Sequence, residues 1–222
     1  MIYLDHLTKS YMTTKGRHYL FKEMTVQIPS GKNVALIGKN GAGKSTLLRI
    51  IGGIDYPDAG KVITDSTTSW PVGLSGGFQG SLSGRQNVLF VSRLYAKSSE
   101  IDQKIEFVES FADIGKYFDM PIKSYSSGMR SRLTFALSMA FDFDYYLIDE
   151  VTSVGDAQFR KKCENIMNQK RELANFIMVS HNLESLPKQC DVGVVLIEGQ
   201  ATYYDDIAEA IEVYQSYALA KK

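Results

Sequence analysis

Gly38, Gly43, Lys44 and Ser45 stand in the spacing G-x-x-x-x-G-K-S. Those types at that spacing suit one task, holding a chain of phosphates. Glycines let successive backbone N–H groups converge on phosphate oxygens with no Cβ in the way. Lys44 is placed for the β- and γ-phosphates and Ser45 for Mg²⁺. Val34-Ala35-Leu36-Ile37 precedes the loop and Thr46-Leu47-Leu48-Arg49-Ile50-Ile51 follows it, the strand–loop–helix context that the motif requires. The helix also turns its positive end toward the anion. Gly38, Asn40, Gly41, Gly43, Lys44, Ser45 and Thr46 are therefore the expected nucleotide contacts.

A second constellation is Tyr145-Tyr146-Leu147-Ile148-Asp149-Glu150, an apolar strand ending in two carboxylates. Such a strand delivers its acids to the C-terminal edge of a parallel sheet, where a phosphate loop also sits. Asp149 is then placed for the Mg²⁺ shell and Glu150 to orient or deprotonate an attacking water. Two acids merely capping a strand would look the same without the loop upstream. Phe176-Ile177-Met178-Val179-Ser180-His181 is a further strand ending in histidine. A lone histidine is more often structural, but this one should emerge where the γ-phosphate lies. Ser124-Tyr125-Ser126-Ser127-Gly128-Met129-Arg130 precedes a helix containing Leu133, Ala136, Leu137 and Ala140. Small residues at a helix start make another anion site, and with one phosphate loop per chain it would serve the ATP of another subunit. Taken alone, an ordinary N-cap explains that stretch as well.

The elements that must position these groups follow from periodicity. Thr25-Val26-Gln27-Ile28 reads as a short strand, with the turn Pro29-Ser30-Gly31-Lys32 leading into the phosphate-loop strand. Asp55 to Gly60 is a turn-rich loop, and Leu74 to Gly84 a Gly/Ser-rich, hinge-like one. The pattern then turns helical: Val88, Val91, Ser92 and Tyr95 share one face, and Ile101, Ile105, Val108 and Ala112 another. Ser99 and Asp102 are spaced as a capping box. A helix around Phe159, Cys163, Ile166 and Met167 separates strands 145–148 and 176–179, and Val192 to Ile197 is one more strand. Near-continuous apolar strands alternating with helices indicate a buried parallel sheet. The helical stretch from about Asn87 to Tyr125 interrupts it as an insertion. Ile207, Ala210, Ile211, Tyr214 and Tyr217 outline a closing amphipathic helix.

The 222 residues suffice for one or two domains, and 25 basic residues balance 25 acidic ones. Zero formal net charge gives no global electrostatic case for nucleic acid. Cys163 and Cys190 have no metal-like spacing and read as two reduced thiols. The N-terminus has no signal-peptide pattern. The longest apolar run, near Val192, falls well short of the ~18 residues of a membrane span, so any membrane role is expected to need a partner.

Together these motifs resemble the nucleotide-binding subunit of an ABC transporter, over essentially the whole chain. The resemblance implies an α/β P-loop NTPase of the ABC ATPase type, with a mainly parallel sheet core and an N-terminal antiparallel β part. Residues 1–222 would form a single nucleotide-binding domain with a helical subdomain inserted at about 87–140. Ser126-Ser127-Gly128-Met129 resembles the SGGQ part of the family's signature sequence, departing from it at Ser127 and Met129. Tyr11 lies where the family places an aromatic against adenine. Ser153-Val154-Gly155-Asp156 resembles the loop that crosses the dimer interface, and Gln79 the glutamine linking the metal site to the helical subdomain, although the segment from Gln79 to Asn87 is shorter than usual.

The stretches 69–74, 77–85, 115–122 and 125–133 are most similar to the polysaccharide-export branch, in particular the ATP-binding subunits of Gram-negative capsule exporters. Related O-antigen exporters often carry an extra C-terminal domain, and an end at Lys222 after one helix favours the capsule type. The resemblance implies ATP and Mg²⁺ and catalysis by Glu150 and His181. A second copy would complete an ATP-sandwiched dimer through Ser126, Gly128 and Asp156. It further implies a separate transmembrane permease and a peripheral place on the cytoplasmic face of the bacterial inner membrane. An exporter of another glycan or lipid-linked substrate, a soluble ABC ATPase and a nucleotide sensor that does not hydrolyse are the rival readings.

Overall fold

The computed structural model describes residues 1–73, 77–149, 156–180 and 182–220. The chain divides into two compact units. The first comprises Met1–Pro71, Phe143–Glu150 and Ala174–Lys222, and the second Val72–Asp142 and Val151–Leu173.

The first unit contains two sheets. In one, β1 (Ile2–Thr13) lies between β2 (Gly16–Ile28) and β4 (Ala59–Thr64), all antiparallel. Both long strands exceed what alternation in the sequence suggests, and each contains a break. Ile2 and Leu4 are buried, then Leu7 and Lys9, so the inward set switches from even to odd numbers at His6, whose φ is 51°. In β2 the switch occurs at Glu23, also at φ 51°, between Phe21 and Met24. A bulge adds one residue and turns every later side chain to the other face. This is why only Thr25–Ile28 is conspicuous as a strand in the sequence.

The second sheet has the order β5–β6–β3–β7–β8, built from β5 (Tyr145–Asp149), β6 (Asn175–Val179), β3 (Val34–Gly38), β7 (Val192–Ile197) and β8 (Gln200–Tyr204). The first four strands are parallel and β8 returns antiparallel. β3 is buried at Val34, Ala35, Leu36 and Ile37, as a strand covered on both faces must be. Leu36 and Asp149 both pair with Val179. That register brings the end of β5 level with the end of β3, where α1 (Lys44–Ile51) begins. α6 (Ile207–Ala220) closes the unit on its Ile207 and Ala210 face. It packs so tightly on β7 that a Cβ at Gly193 would stand 2.3 Å from that of Ala210. Among the described residues no helix is long and apolar enough to cross a membrane.

The second unit is helical: α2 (Gly84–Tyr95), α3 (Ile101–Ala112), α4 (Ser127–Met139) and α5 (Ala157–Arg171). Its centre is aromatic. Phe111 stacks on Phe135 with centroids 5.9 Å apart and meets Phe159 edge-on at 5.7 Å. Lys162 Nζ donates to the carbonyls of Ser110 and Phe111 at 2.9 and 3.0 Å, capping the C-terminal end of α3. The expected capping box at Ser99–Asp102 does not form. Ser99 sits inside a 3₁₀ turn, Ser98–Glu100, that runs straight into α3, and α3 has no side-chain cap. A capping residue needs extended backbone, and a serine already in helical conformation does not have it. The same device is built instead at α2. Ser83 Oγ accepts from the Gln86 N–H at 3.1 Å, and Gln86 Oε1 accepts from the Ser83 N–H at 2.9 Å.

Candidate nucleotide site

Two glycines of the phosphate loop are required by their surroundings as well as by a ligand. Gly43 caps α1 with φ at 95°, and a Cβ there would lie 2.7 Å from Cζ of the Phe21 ring. A Cβ at Gly38 would lie 2.8 Å from the carbonyl oxygen of Leu196 on β7. The loop closes on itself through the Ala42 N–H, which donates to the Lys39 carbonyl at 3.1 Å. Lys44 arches back over it, with Nζ donating to the Gly38 and Lys39 carbonyls at 2.7 and 3.1 Å. That holds the ammonium beside the loop, where a phosphate can exchange for carbonyl partners.

At the mouth of the loop lies a cavity of about 570 Å³. Tyr11, Asn40, Gly41, Gly43, Lys44, Ser45, Thr46 and Asp149 line it, eight of the residues singled out from the sequence. Ser45 Oγ donates to Asp149 Oδ1 at 3.1 Å, across 104 residues of chain. A hydroxyl and a carboxylate facing one pocket form a hard-oxygen donor pair. Mg²⁺ commonly takes one or two carboxylates, substrate phosphates and its own waters, so the pair fits that ion. Leu20 and Val179 complete the lining and were not among the expected contacts. Leu20 lies in β2 where the register with β1 shifts between Phe21 and Tyr19, and its type and spacing carry no signal for a ligand.

Tyr11 is anchored as well. The Tyr11 hydroxyl donates to Asp55 Oδ2 at 3.3 Å, and Lys9 Nζ lies over the Tyr11 ring, 5.4 Å from its centroid. Lys9 Nζ in turn donates to Asp55 Oδ1 at 2.7 Å and to the Tyr56 carbonyl at 2.6 Å. Burial pushes the Asp55 carboxyl upward, but its bonds to Lys9, the Tyr56 N–H and Tyr11 outweigh this and hold it below its ordinary value.

Ser126, Gly128, Asp156 and Gln79 belong to the helical unit. Ser126 Oγ caps α4 by accepting from the Met129 N–H at 3.2 Å. Asp156 caps α5 through the Phe159 N–H at 2.9 Å and pairs with Arg132 Nη2 at 2.6 Å. Gln79 is held by Asn87, whose Oδ1 accepts from its backbone N–H at 2.8 Å, while its side-chain amide donates to Ser81 Oγ at 3.3 Å. Glu150, Ser153, Val154, Gly155 and His181 lie outside the described residues.

A phosphate loop opening α1 from the central strand of a mainly parallel sheet, with a serine–carboxylate pair at its mouth, defines a class. The chain belongs to the ABC transporter family, whose model matches residues 21–153. It is 62% identical over 218 residues to the polysialic acid transport ATP-binding protein KpsT of Escherichia coli, covering 98% of this chain and 97% of that one. It is 41% identical over 216 residues to the capsule polysaccharide export ATP-binding protein CtrD of Neisseria meningitidis serogroup B, covering 97% and 99%. The fold matches that of the ATP-binding cassette MJ0796, solved as a dimer in a post-hydrolysis state with ADP and Pi. The TM-score is 0.74 at 20% identity, over 92% of this chain and 98% of that one.

Proposed function

We propose that this chain is the ATP-binding and ATP-hydrolysing subunit of an exporter that moves capsular polysaccharide across the bacterial inner membrane. The observation that carries the reading is the Ser45–Asp149 contact at the mouth of the phosphate loop. It occurs in a chain 62% identical to a polysialic acid transport ATP-binding protein. ATP lies with its base toward Tyr11 and its phosphates in the loop, where backbone N–H groups, the α1 N-terminus and Lys44 neutralise the β- and γ-oxygens. A Mg²⁺ ion held by Ser45 and Asp149 would add positive charge at the same oxygens. Glu150 follows Asp149 directly and is the proposed general base. His181 follows β6 and is the proposed contact that holds the attacking water. The paired ends of β5 and β6 support putting both residues at the phosphate end of the sheet.

Each chain has one phosphate loop, and its signature-like Ser126 and Gly128 lie at the start of α4 in the other unit. In the proposed assembly two copies meet head to tail, and each ATP is closed between the loop of one and Ser126 and Gly128 of its partner, with Asp156 near the crossing. Closure then depends on the γ-phosphate, and hydrolysis releases it. A separate transmembrane permease uses that motion, with this chain peripheral on the cytoplasmic face. Phosphate release from MgATP tests the reading. The wild-type chain should turn over ATP, and Glu150→Gln should slow it by about 10²–10⁴ with ATP affinity retained. Wild-type turnover in that variant would remove Glu150 as the base. No turnover by the wild-type chain, alone or with its permease, would remove the enzyme reading.

A further inference from the structure

The aromatic side chain at the base end of the cavity is not an isolated platform. β1 pairs with β4 only as far as Thr8, opposite Ala59. Beyond that point the loop after α1 takes the place of a strand. The Asp58 N–H donates to the Thr8 carbonyl at 2.7 Å, and Asp58 Oδ2 accepts from the Ser10 N–H at 2.8 Å. Asp55 grips Lys9 and Tyr11, the side chains on either side of Ser10, through its two oxygens. The switch at His6 turns Lys9 inward to 8% exposure and puts Tyr11 on the same side of the strand. Lys9 therefore has its charge inside, held by the Asp55 carboxylate, the Tyr56 carbonyl and the Tyr11 ring.

The loop that carries Asp55 is itself tied to the end of α1. The N–H groups of Ile54 and Asp55 both donate to the Arg49 carbonyl, at 2.9 and 3.2 Å. α1 thus starts at the phosphate loop, and its last turn holds the loop whose Asp55 carboxylate grips the ring. Its eight residues make a strut of about 12 Å. Tyr11 is 41% exposed and lines the cavity, so with Lys9 over one face the other can take a base. A cation on one face also draws π-density from the ring, which lowers its repulsion toward an electron-rich purine on the opposite face.

We propose that Lys9 and Asp55 are positioning residues for nucleoside binding: they fix the Tyr11 ring at a set distance from the phosphate loop, so that affinity for the base depends on them and affinity for the phosphates does not. The proposal rests on the nucleotide site described above and adds to it two residues that touch no ligand. Its signature is a split between ligands. Lys9→Met, Asp55→Asn and Tyr11→Ala in the full chain are titrated with MgATP and, separately, with magnesium tripolyphosphate, which has the phosphates without the nucleoside. Base stacking losses of the size found for aromatic platforms predict about five- to 150-fold weaker MgATP binding for Tyr11→Ala. Lys9→Met and Asp55→Asn should weaken it about three- to ten-fold, a fraction of that loss. Tripolyphosphate affinity should stay within about two-fold in all three, which also shows that the loop has folded. Adding Lys9→Met to Tyr11→Ala should produce little further loss, because the ring it positions is gone. Equal weakening for both ligands, unchanged MgATP affinity in the Lys9 and Asp55 variants, or a fully additive double variant each overturns the proposal. Failure of the wild-type chain to bind either ligand would refute the phosphate-loop reading itself.

Discussion

Gly43→Ala tests whether the phosphate loop is shaped by its neighbours as well as by its ligand. The residue sits at φ 95°, in the left-handed half of conformational space. An alanine there costs roughly 1–2 kcal/mol in backbone strain. Its Cβ would also lie 2.7 and 2.8 Å from Cζ and Cε1 of Phe21, whose side chain is fully buried. Carbon atoms prefer about 3.5–4.0 Å, so the ring must move in a packed core, which costs roughly 1–3 kcal/mol more. The sum, about 2–5 kcal/mol, is a large part of the ~5–15 kcal/mol that holds a typical domain together. Urea unfolding of the ligand-free chain should show that loss. MgATP titration should show weaker binding, because the N–H groups of the loop rotate with the strained residue. Phe21→Leu removes both clashing ring atoms. In that background Gly43→Ala should cost only the backbone part, giving a coupling of about 1–3 kcal/mol between the two sites. A wild-type-background cost under about 0.5 kcal/mol, or the same cost in both backgrounds, would refute the reasoning.

Two further outcomes are expected. Gly193→Ala places a Cβ 2.3 Å from that of Ala210, and neither backbone can yield freely, so it should destabilise by about 1–3 kcal/mol in urea unfolding while tripolyphosphate affinity is kept. Asp156 is held below its ordinary value of 3.8 first by the Phe159 N–H, and by Arg132 against an opposing desolvation. A depressed carboxyl contributes stability that is complete above the unfolded value and lost as pH falls through the folded one. Asp156→Ala should therefore lower the unfolding midpoint at pH 6 and leave it nearly unchanged at the lowest pH where the chain still folds; an equal effect at both would refute the claim that the ionised carboxylate, as helix cap and ion-pair partner, contributes the stability.

The parts legible in the sequence are those whose physics is local. The phosphate loop packs its glycines, lysine and serine into eight consecutive residues, and the strand and helix that give it meaning adjoin it. Asp149 was legible because a buried parallel strand has one possible edge for its final acid. Ser83–Gln86 and Ser99–Asp102 have the same capping spacing, yet only the first forms, because a 3₁₀ turn carries Ser99 into helical backbone. Bulges at His6 and Glu23 hid the length of β1 and β2, since each reverses the alternation by which strands are found.

The phosphate loop and the family can both be read along the chain, because motif residues close in sequence need little else to meet. Folding alone puts Phe21 behind Gly43, brings Ser45 to Asp149, and closes Lys9 and Asp55 around Tyr11. Those partners lie 22, 104 and about 46 residues apart in the chain. Strand register, a one-residue bulge and the exit of a single helix bring them together, and no spacing rule along the chain encodes such contacts.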